Sequence, residues 1–367
     1  MRNFGNPYID PLVNVAKANK GVNPSPLPKP TGPAPYRLNL ANVLPADKME
    51  QIKSRGRIAF HMVGDTGGGI FPIPQRILAA NLVKQLSRSS FLYILGDITY
   101  YTGDVDKYYA QFYAPFQHYT APIFSIPGNH DGTTQFLLSS TGEPSLTAWM
   151  RTFCAPQPIH QPEADDVNRD AMTQPNCYFT LETPYANIVG LYSNTPEGGY
   201  FGDEQLAWFV NELRTLPTNK ALIVTVHHSP YSLDTSHGSS TTVQDFLNTA
   251  ITKTGRMPSM VLSGHTHNYQ RFTKFDMLRQ VPYVVVGTGG YFDLYNVRDN
   301  VTTPYNVDGQ LVLEKYQTSR HGFLSLTVDK NNITGEYYTI PKPWEPWNGD
   351  TKLFDSFMLN WHAGVMA

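Results

Sequence analysis

The chain has 367 residues, 28 Lys plus Arg against 30 Asp plus Glu, a formal net charge of −2, 41% hydrophobic residues and two cysteines. Balanced charge on 16% charged residues excludes a generalised basic surface for nucleic acid or anionic membranes, and an acidic solvating tail. Two cysteines cannot build an iron–sulfur cluster or an all-thiolate zinc site, so any metal falls to oxygen and imidazole donors.

Nine of the 29 prolines lie in residues 1–45, many in PSPLPKPTGPAP at 24–35, which favours extended polyproline backbone. Residues 1–55 are read as a Pro-rich arm that lies on the body or hangs free, and 56–367 as one catalytic domain. The opening residues show no charged segment followed by an apolar one, so no signal peptide is visible. No run of about 18 apolar residues is present to span a bilayer.

From Arg57 the pattern changes to short apolar runs that end in polar or glycine-rich turns, at 58–63, 91–95, 122–126, 187–192, 221–226, 260–263 and 282–287. Runs this short and apolar suit strands covered on both faces. Segments 74–88 and 203–216 carry helical spacing; in the second, Leu206, Phe209, Val210 and Leu213 recur at i, i+3, i+4 and i+7. Strands alternating with helices imply an α/β core. Residues 322–340 alternate apolar and polar around DKNN, the pattern of an antiparallel hairpin closing the sheet system. Cys154 and Cys177 flank a polar stretch, and two readings stay open: a loop disulfide, which would favour an exported protein, or two reduced, half-buried thiols.

Unusual polar residues gather where the apolar runs end. Asp65 follows the first run, Asp97 and Tyr100 the second, Asn129 and His130 the third, His227 and His228 the fifth, and His265 and His267 the sixth. In open α/β sheets, loops leaving the carboxyl ends of strands share one crevice. Aspartates, a tyrosine, an asparagine and histidines brought there make a metal site of mixed oxygen and nitrogen donors. His265 and His267 are two apart, so on an extended strand end both rings face one side. Seven donors from this set, two aspartates, a tyrosine, an asparagine and three histidines, exceed one tetrahedral ion and suit two ions sharing a carboxylate.

These blocks resemble the calcineurin-like metallophosphoesterase superfamily, and within it the purple acid phosphatases. The family pattern DxG, GDxxY, GNH(D/E), VxxH and GHxH is matched by Asp65-Thr66-Gly67, Gly96-Asp97-Ile98-Thr99-Tyr100, Gly128-Asn129-His130-Asp131, Val224-Thr225-Val226-His227 and Gly264-His265-Thr266-His267. The resemblance spans residues 57 to about 300 and implies a four-layer α/β/β/α sandwich of two mixed sheets flanked by helices. It also implies that Asp65, Tyr100 and His267 hold Fe(III), that Asn129, His227 and His265 hold a divalent ion (Fe, Zn or Mn), and that Asp97 bridges them. Gly67 stands where most of the superfamily has a histidine ligand, and Tyr100 supplies a phenolate instead, which favours a hard ion. Only His227 fits VxxH, so it is preferred over His228. His130 and His237 are the candidates for binding the phosphoryl group and protonating the leaving alkoxide, with Asp97 counted among the catalytic residues.

The implied reaction is hydrolysis of phosphate monoesters on a small substrate, by in-line attack of hydroxide that the two ions make available near or below neutral pH. The alternatives are a diesterase on the same site and, with less support, a non-enzymatic scaffold that has kept the fold. Plant-type members carry an N-terminal fibronectin-like domain where this chain has its Pro-rich arm, so the compact bacterial and animal forms are the nearer expectation. Tyr291, Phe292 and Asp293, after the GTGG turn, are placed at the pocket mouth.

Overall fold

The apolar runs become strands buried along most of their length, and two stacked sheets with helices outside them account for that burial. The computed structural model describes residues 23–134, 144–276, 279–347 and 349–366. Among these, one sheet has nine strands in the spatial order β1 (Arg37–Asn39), β5 (Phe179–Glu182), β6 (Ala186–Leu191), β7 (Ala221–Val226), β8 (Met260–Ser263), β10 (Arg279–Val286), β9 (Tyr269–Asp276), β12 (Leu311–Gln317) and β11 (Tyr305–Asn306). The other has seven, in the order β16 (Val365–Met366), β15 (Lys352–Asn360), β14 (Asn332–Thr339), β13 (Gly322–Asp329), β2 (Arg57–Val63), β3 (Leu92–Ile94) and β4 (Ile123–Ser125). Both sheets are mixed: β6, β7, β8 and β10 run parallel, as do β2, β3 and β4, while antiparallel strands extend each.

Side-chain alternation along the strands feeds two cores. Phe60 and Met62 of β2, Tyr93 of β3 and Ile223 of β7 meet in the layer between the sheets. Their neighbours Leu92, Ile94, Leu222 and Val224 belong to the clusters under the helices. Helix α1 (Ala46–Ser54) packs on the inter-sheet core, and those over the outer cluster are α2 (Ile73–Lys84), α3 (Thr147–Phe153), α4 (Asp203–Thr215) and α5 (Thr241–Thr254). Helix α2 supplies Ile77, Leu78 and Leu82, α4 supplies Phe209 and Leu213, and α5 supplies Phe246 and Leu247, all buried. Each such side chain contributes about 1.5–3 kcal/mol on leaving water. The result is the expected four-layer α/β/β/α sandwich of two mixed sheets flanked by helices.

The structure narrows two open readings and corrects one expectation. Of the segment 1–55 read as an arm, residues 1–22 lie outside the described residues, and the later part lies on the body: β1 pairs in parallel with β5, Arg37 of that strand donates to Glu212 of α4 at 2.9 and 3.0 Å, and Met49 and Ile52 of α1 enter the inter-sheet core. The 322–340 hairpin does not close its sheet, because β13 pairs onward with β2 and β14 with β15. Cys154 and Cys177 are both buried and unbonded, and burial raises both thiol pKa values, that of Cys177 to about 12. Of the two readings left open, the reduced thiols are the one the structure has.

Candidate metal centre

The loops after β2, β3, β4, β7 and β8 come from both sheets, and short hydrogen bonds tie them together. The Asp65 N–H donates to the Gly96 carbonyl at 2.9 Å, the Gly264 N–H to the His227 carbonyl at 3.0 Å, and the His265 N–H to Asp65 Oδ2 at 2.8 Å. Four candidate ligands have left-handed backbone unusual for residues other than glycine: Asp65 (φ 58°), Asp97 (54°), His265 (70°) and His267 (40°). Such conformations cost on the order of 1 kcal/mol or more each, and they persist where the surroundings enforce them.

The seven candidates fall into two groups and an outlier. Tyr100 Oη lies 3.1 Å from Asp65 Oδ1 and 3.0 Å from His267 Nε2, and His267 Nε2 lies 3.3 Å from Asp65 Oδ1. Beside this triad, His227 Nε2 lies 3.1 Å from Asn129 Oδ1 and 3.3 Å from Asp97 Oδ2. The outlier is His265: its ring packs 5.1 Å from that of His227, but its Nε2 meets Glu197 Oε1 at 3.3 Å. His227 Nδ1 donates to the Leu95 carbonyl at 2.8 Å, which leaves Nε2 as the free donor pair facing Asn129 and Asp97. His228 turns away, its Nδ1 2.7 Å from Ser193 Oγ.

This donor set suits cations. Asp65, Asp97, Tyr100, Asn129 and His227 are essentially buried, and Oδ2 of Asp97 has no hydrogen-bond partner. Among the described residues the ion pairs of Asp65 and Asp97 are with histidines alone. Burial opposes ionisation of Asp97, yet His227 and His130 hold its carboxyl well below the usual range. For His227, burial is outweighed by Asp97, which pushes it up to about 9. Burial and the nearby Asp65 carboxylate hold the Tyr100 phenol well above its ordinary pKa, so the phenol keeps its proton unless a cation replaces it. Carboxylates, imidazoles and a phenol at 3.0–3.3 Å spacing thus form two groups of metal-donor atoms, with Asp65, Asp97 and His227 atoms within 4.8 Å of one another.

The centre opens into a cleft lined by Asp97, Asn129, His130, Glu197, His237, His265, His267 and the rings of Tyr100, Tyr101, Tyr291 and Tyr295. His130 Nδ1 donates to the Tyr101 carbonyl at 2.8 Å, and His237 Nδ1 lies 2.8 Å from Glu197 Oε1. Tyr291 lies at the mouth as expected; Phe292 packs against it and Asp293 is exposed, so Tyr295 takes the place expected of Asp293. Three residues that hold the site went unread in the sequence. Glu197 sits in an ordinary turn sequence. Gln111 Oε1 accepts from the N–H groups of Tyr100 and Gly69, each at 3.0 Å. Asp131, inside a recognised block but given no role, accepts from the N–H groups of Ile98, Thr99 and Gly128 and so clamps two loops together. Gly67 makes room for the phenol: a Cβ there would stand 2.7 Å from Tyr100 Cδ2.

A family model described as calcineurin-like phosphoesterase matches residues 58–269, a span that includes all five blocks. No curated protein matches the chain. Among solved structures, a purple acid phosphatase from yellow lupin (Lupinus luteus) seeds has a TM-score of 0.58 at 17% identity, with 83% of this chain and 54% of that chain covered. This chain thus spans about half the length of the lupin protein. The anchor in the inner membrane complex of Plasmodium has a TM-score of 0.57 at 14% identity, covering 83% and 89%. A dimetal phosphatase from Danio rerio has a TM-score of 0.50 at 10% identity, covering 83% and 99%. Likeness at these identities carries the fold alone, and the fold serves both a phosphatase and an anchor.

Proposed function

Since the chain belongs to the calcineurin-like phosphoesterase family, we propose that it is a dinuclear-metal phosphatase of the purple acid phosphatase type that hydrolyses small phosphate monoesters. The observation that carries this reading is the convergence of Tyr100 Oη on Asp65 and His267 at 3.0–3.1 Å, with Gly67 leaving space for the ring. Asp65, Tyr100 and His267 would hold Fe(III), Asn129, His227 and His265 a divalent Fe, Zn or Mn ion, and Asp97 would serve both. When bound, the ions supply positive charge for the phosphoryl oxygens and lower the pKa of water to give hydroxide near or below neutral pH.

The chain's own groups do the rest. His130 spends Nδ1 on the Tyr101 carbonyl and His237 spends Nδ1 on Glu197, so each keeps Nε2 for a ligand in the cleft. There they would hydrogen-bond phosphoryl oxygens and pass a proton to the leaving alkoxide. The Tyr291 and Tyr295 rings wall the cleft and limit water. Positive potential is thus local, in a protein whose net charge is −2.

The test is a visible spectrum of the purified protein with its metal content. A tyrosinate–Fe(III) charge-transfer band that disappears in Tyr100→Phe supports the iron assignment. A colourless zinc or manganese protein whose activity survives that substitution would refute it. Rates on nitrophenyl phosphate and bis(nitrophenyl) phosphate separate the two ester classes, and a hundredfold preference for the diester would overturn the monoesterase reading. A fully metallated protein that turns over neither substrate would point to a scaffold.

A further inference from the structure

Glu197 is an acidic residue in a cleft suited to a phosphate dianion, and nothing in the sequence motifs accounts for it. It lies between β6 and α4, in Asn194-Thr195-Pro196-Glu197-Gly198-Gly199. The loop is built to present it. Asn194, Gly198 and Gly199 take positive φ (59°, 81° and 87°), the Gly199 N–H donates to the Pro196 carbonyl at 2.8 Å, and the Tyr200 N–H donates to the Ser193 carbonyl at 2.8 Å. Ser240 Oγ, at the start of α5, donates to the Gly198 carbonyl at 2.5 Å and fastens the turn to the body.

The side chain is then held at a definite point. Oε1 lies 2.8 Å from His237 Nδ1 and 3.3 Å from His265 Nε2, while Oε2 is buried with no hydrogen-bond partner. One donor atom from each of Glu197, His237 and His265 lies within 4.8 Å of the others. Among the described residues the ion pairs of Glu197 are with these two histidines alone. A carboxylate so placed has a desolvation cost that contacts to one of its two oxygens offset poorly and a cation offsets well.

The spacing is informative. Two donors each about 2.1 Å from one ion, and roughly 90–105° apart around it, lie about 3.0–3.3 Å from each other. Asp65, Tyr100 and His267 show that separation, as do His227, Asn129 and Asp97. His265 shows it only with Glu197. We propose that Glu197 is a metal ligand in its own right, binding the divalent ion together with His265, with His237 orienting the carboxylate through its Nδ1–H. This rests on the dinuclear reading above and adds to it a carboxylate ligand outside the five sequence blocks. His237 here acts on Glu197 as a histidine partner fixes a ligating carboxylate.

The experiment is equilibrium dialysis of the metal-free protein against Mn(II) and Zn(II), with bound metal counted, for wild type, Glu197→Gln, Glu197→Asp and His265→Ala. Gln keeps shape and an oxygen that accepts from His237 but loses the charge. It should weaken the second equivalent of divalent ion by roughly tenfold or more, leave the first equivalent in place, and, in separately purified iron-containing protein, leave the Tyr100–iron band unshifted. Asp should recover part of the loss. Glu197→Gln binding both equivalents as tightly as wild type, while His265→Ala loses one, would overturn the proposal and leave the dinuclear reading standing. Wild type taking up a single equivalent would overturn the dinuclear reading and this proposal with it. Melting curves of the metal-free proteins identify a variant that fails to fold, in which case Glu197→Asp carries the comparison.

Discussion

Gly67→Ala probes the step on which the iron assignment turns, because it adds one methyl group and replaces no candidate ligand. Gly67 does not lie in the left-handed region, so the cost is steric alone. The new Cβ would stand 2.7 Å from Tyr100 Cδ2 and 2.9 Å from both Gln111 Oε1 and the Ile98 carbonyl oxygen. Carbon atoms settle at about 3.5–4.0 Å, so the Tyr100 ring edge has to retreat by roughly 1 Å. Its hydroxyl is 3.0 Å from His267 and 3.1 Å from Asp65, with the backbone pinned by Gln111, so a retreat of that size takes the oxygen out of the triad. Overpacking of this kind costs about 1–3 kcal/mol of stability, and a 1 Å misplacement at a reacting centre costs about a hundredfold in rate. Iron content, the charge-transfer band, the melting temperature and kcat/KM on nitrophenyl phosphate should fall together. In a Tyr100→Ala background the penalty should shrink but persist, since the Gln111 and Ile98 oxygens remain. Gly67→Ala with wild-type iron content, an unshifted melting curve and kcat/KM within about twofold would refute the packing argument.

Three further outcomes are expected. Gln111→Leu leaves the N–H groups of Tyr100 and Gly69 without their acceptor, so urea denaturation should show a loss of about 2–4 kcal/mol on the usual cost of orphaned buried donors; an unchanged midpoint would rule that out. His237→Ala should lower kcat while iron stays bound, and an unaffected rate would remove His237 from the proton-transfer role. His61, buried between Tyr119 and Phe323 well away from the cleft, has its pKa lowered by burial to about 3. The unfolded chain takes up this proton below about pH 6.5 and the folded one does not, so stability falls with acidification at about 1.4 kcal/mol per pH unit between those values. Denaturation at pH 7 and pH 4.5 should show a pH-dependent loss about 2 kcal/mol smaller in His61→Phe than in wild type; parallel losses would show that His61 charges freely in the folded state.

Strand positions were legible because both faces of the sheets are covered, which leaves runs such as Ala221–Val226 apolar but for Thr225. Strand β1 was not, since Arg37-Leu38-Asn39 is too short for periodicity and its partner Phe179–Glu182 lies far along the chain. Helix α5 carried signals of the same kind that went unread: Ser240 caps the Val243 N–H, Gly255 lies at φ 66°, and Val243, Phe246, Leu247 and Ala250 recur at i, i+3, i+4 and i+7. The same division runs through the site. Residues that meet one another from the ends of apolar strands announce themselves by type and position, whereas Gln111 acts through the backbone of Tyr100, and Glu197 reaches His237 across 40 positions. No local pattern encodes either contact. Backbone conformation marks the boundary more sharply: Asp65, Asp97, His265 and His267 occupy left-handed positions where glycine would be cheaper. Chemistry at the side chain must therefore outweigh about 1 kcal/mol or more of backbone cost at each of the four. Glu197 inverts that arrangement. Its turn places the positive φ values on Asn194, Gly198 and Gly199 instead, so the loop reads as plain turn chemistry while it carries a carboxylate into the cleft.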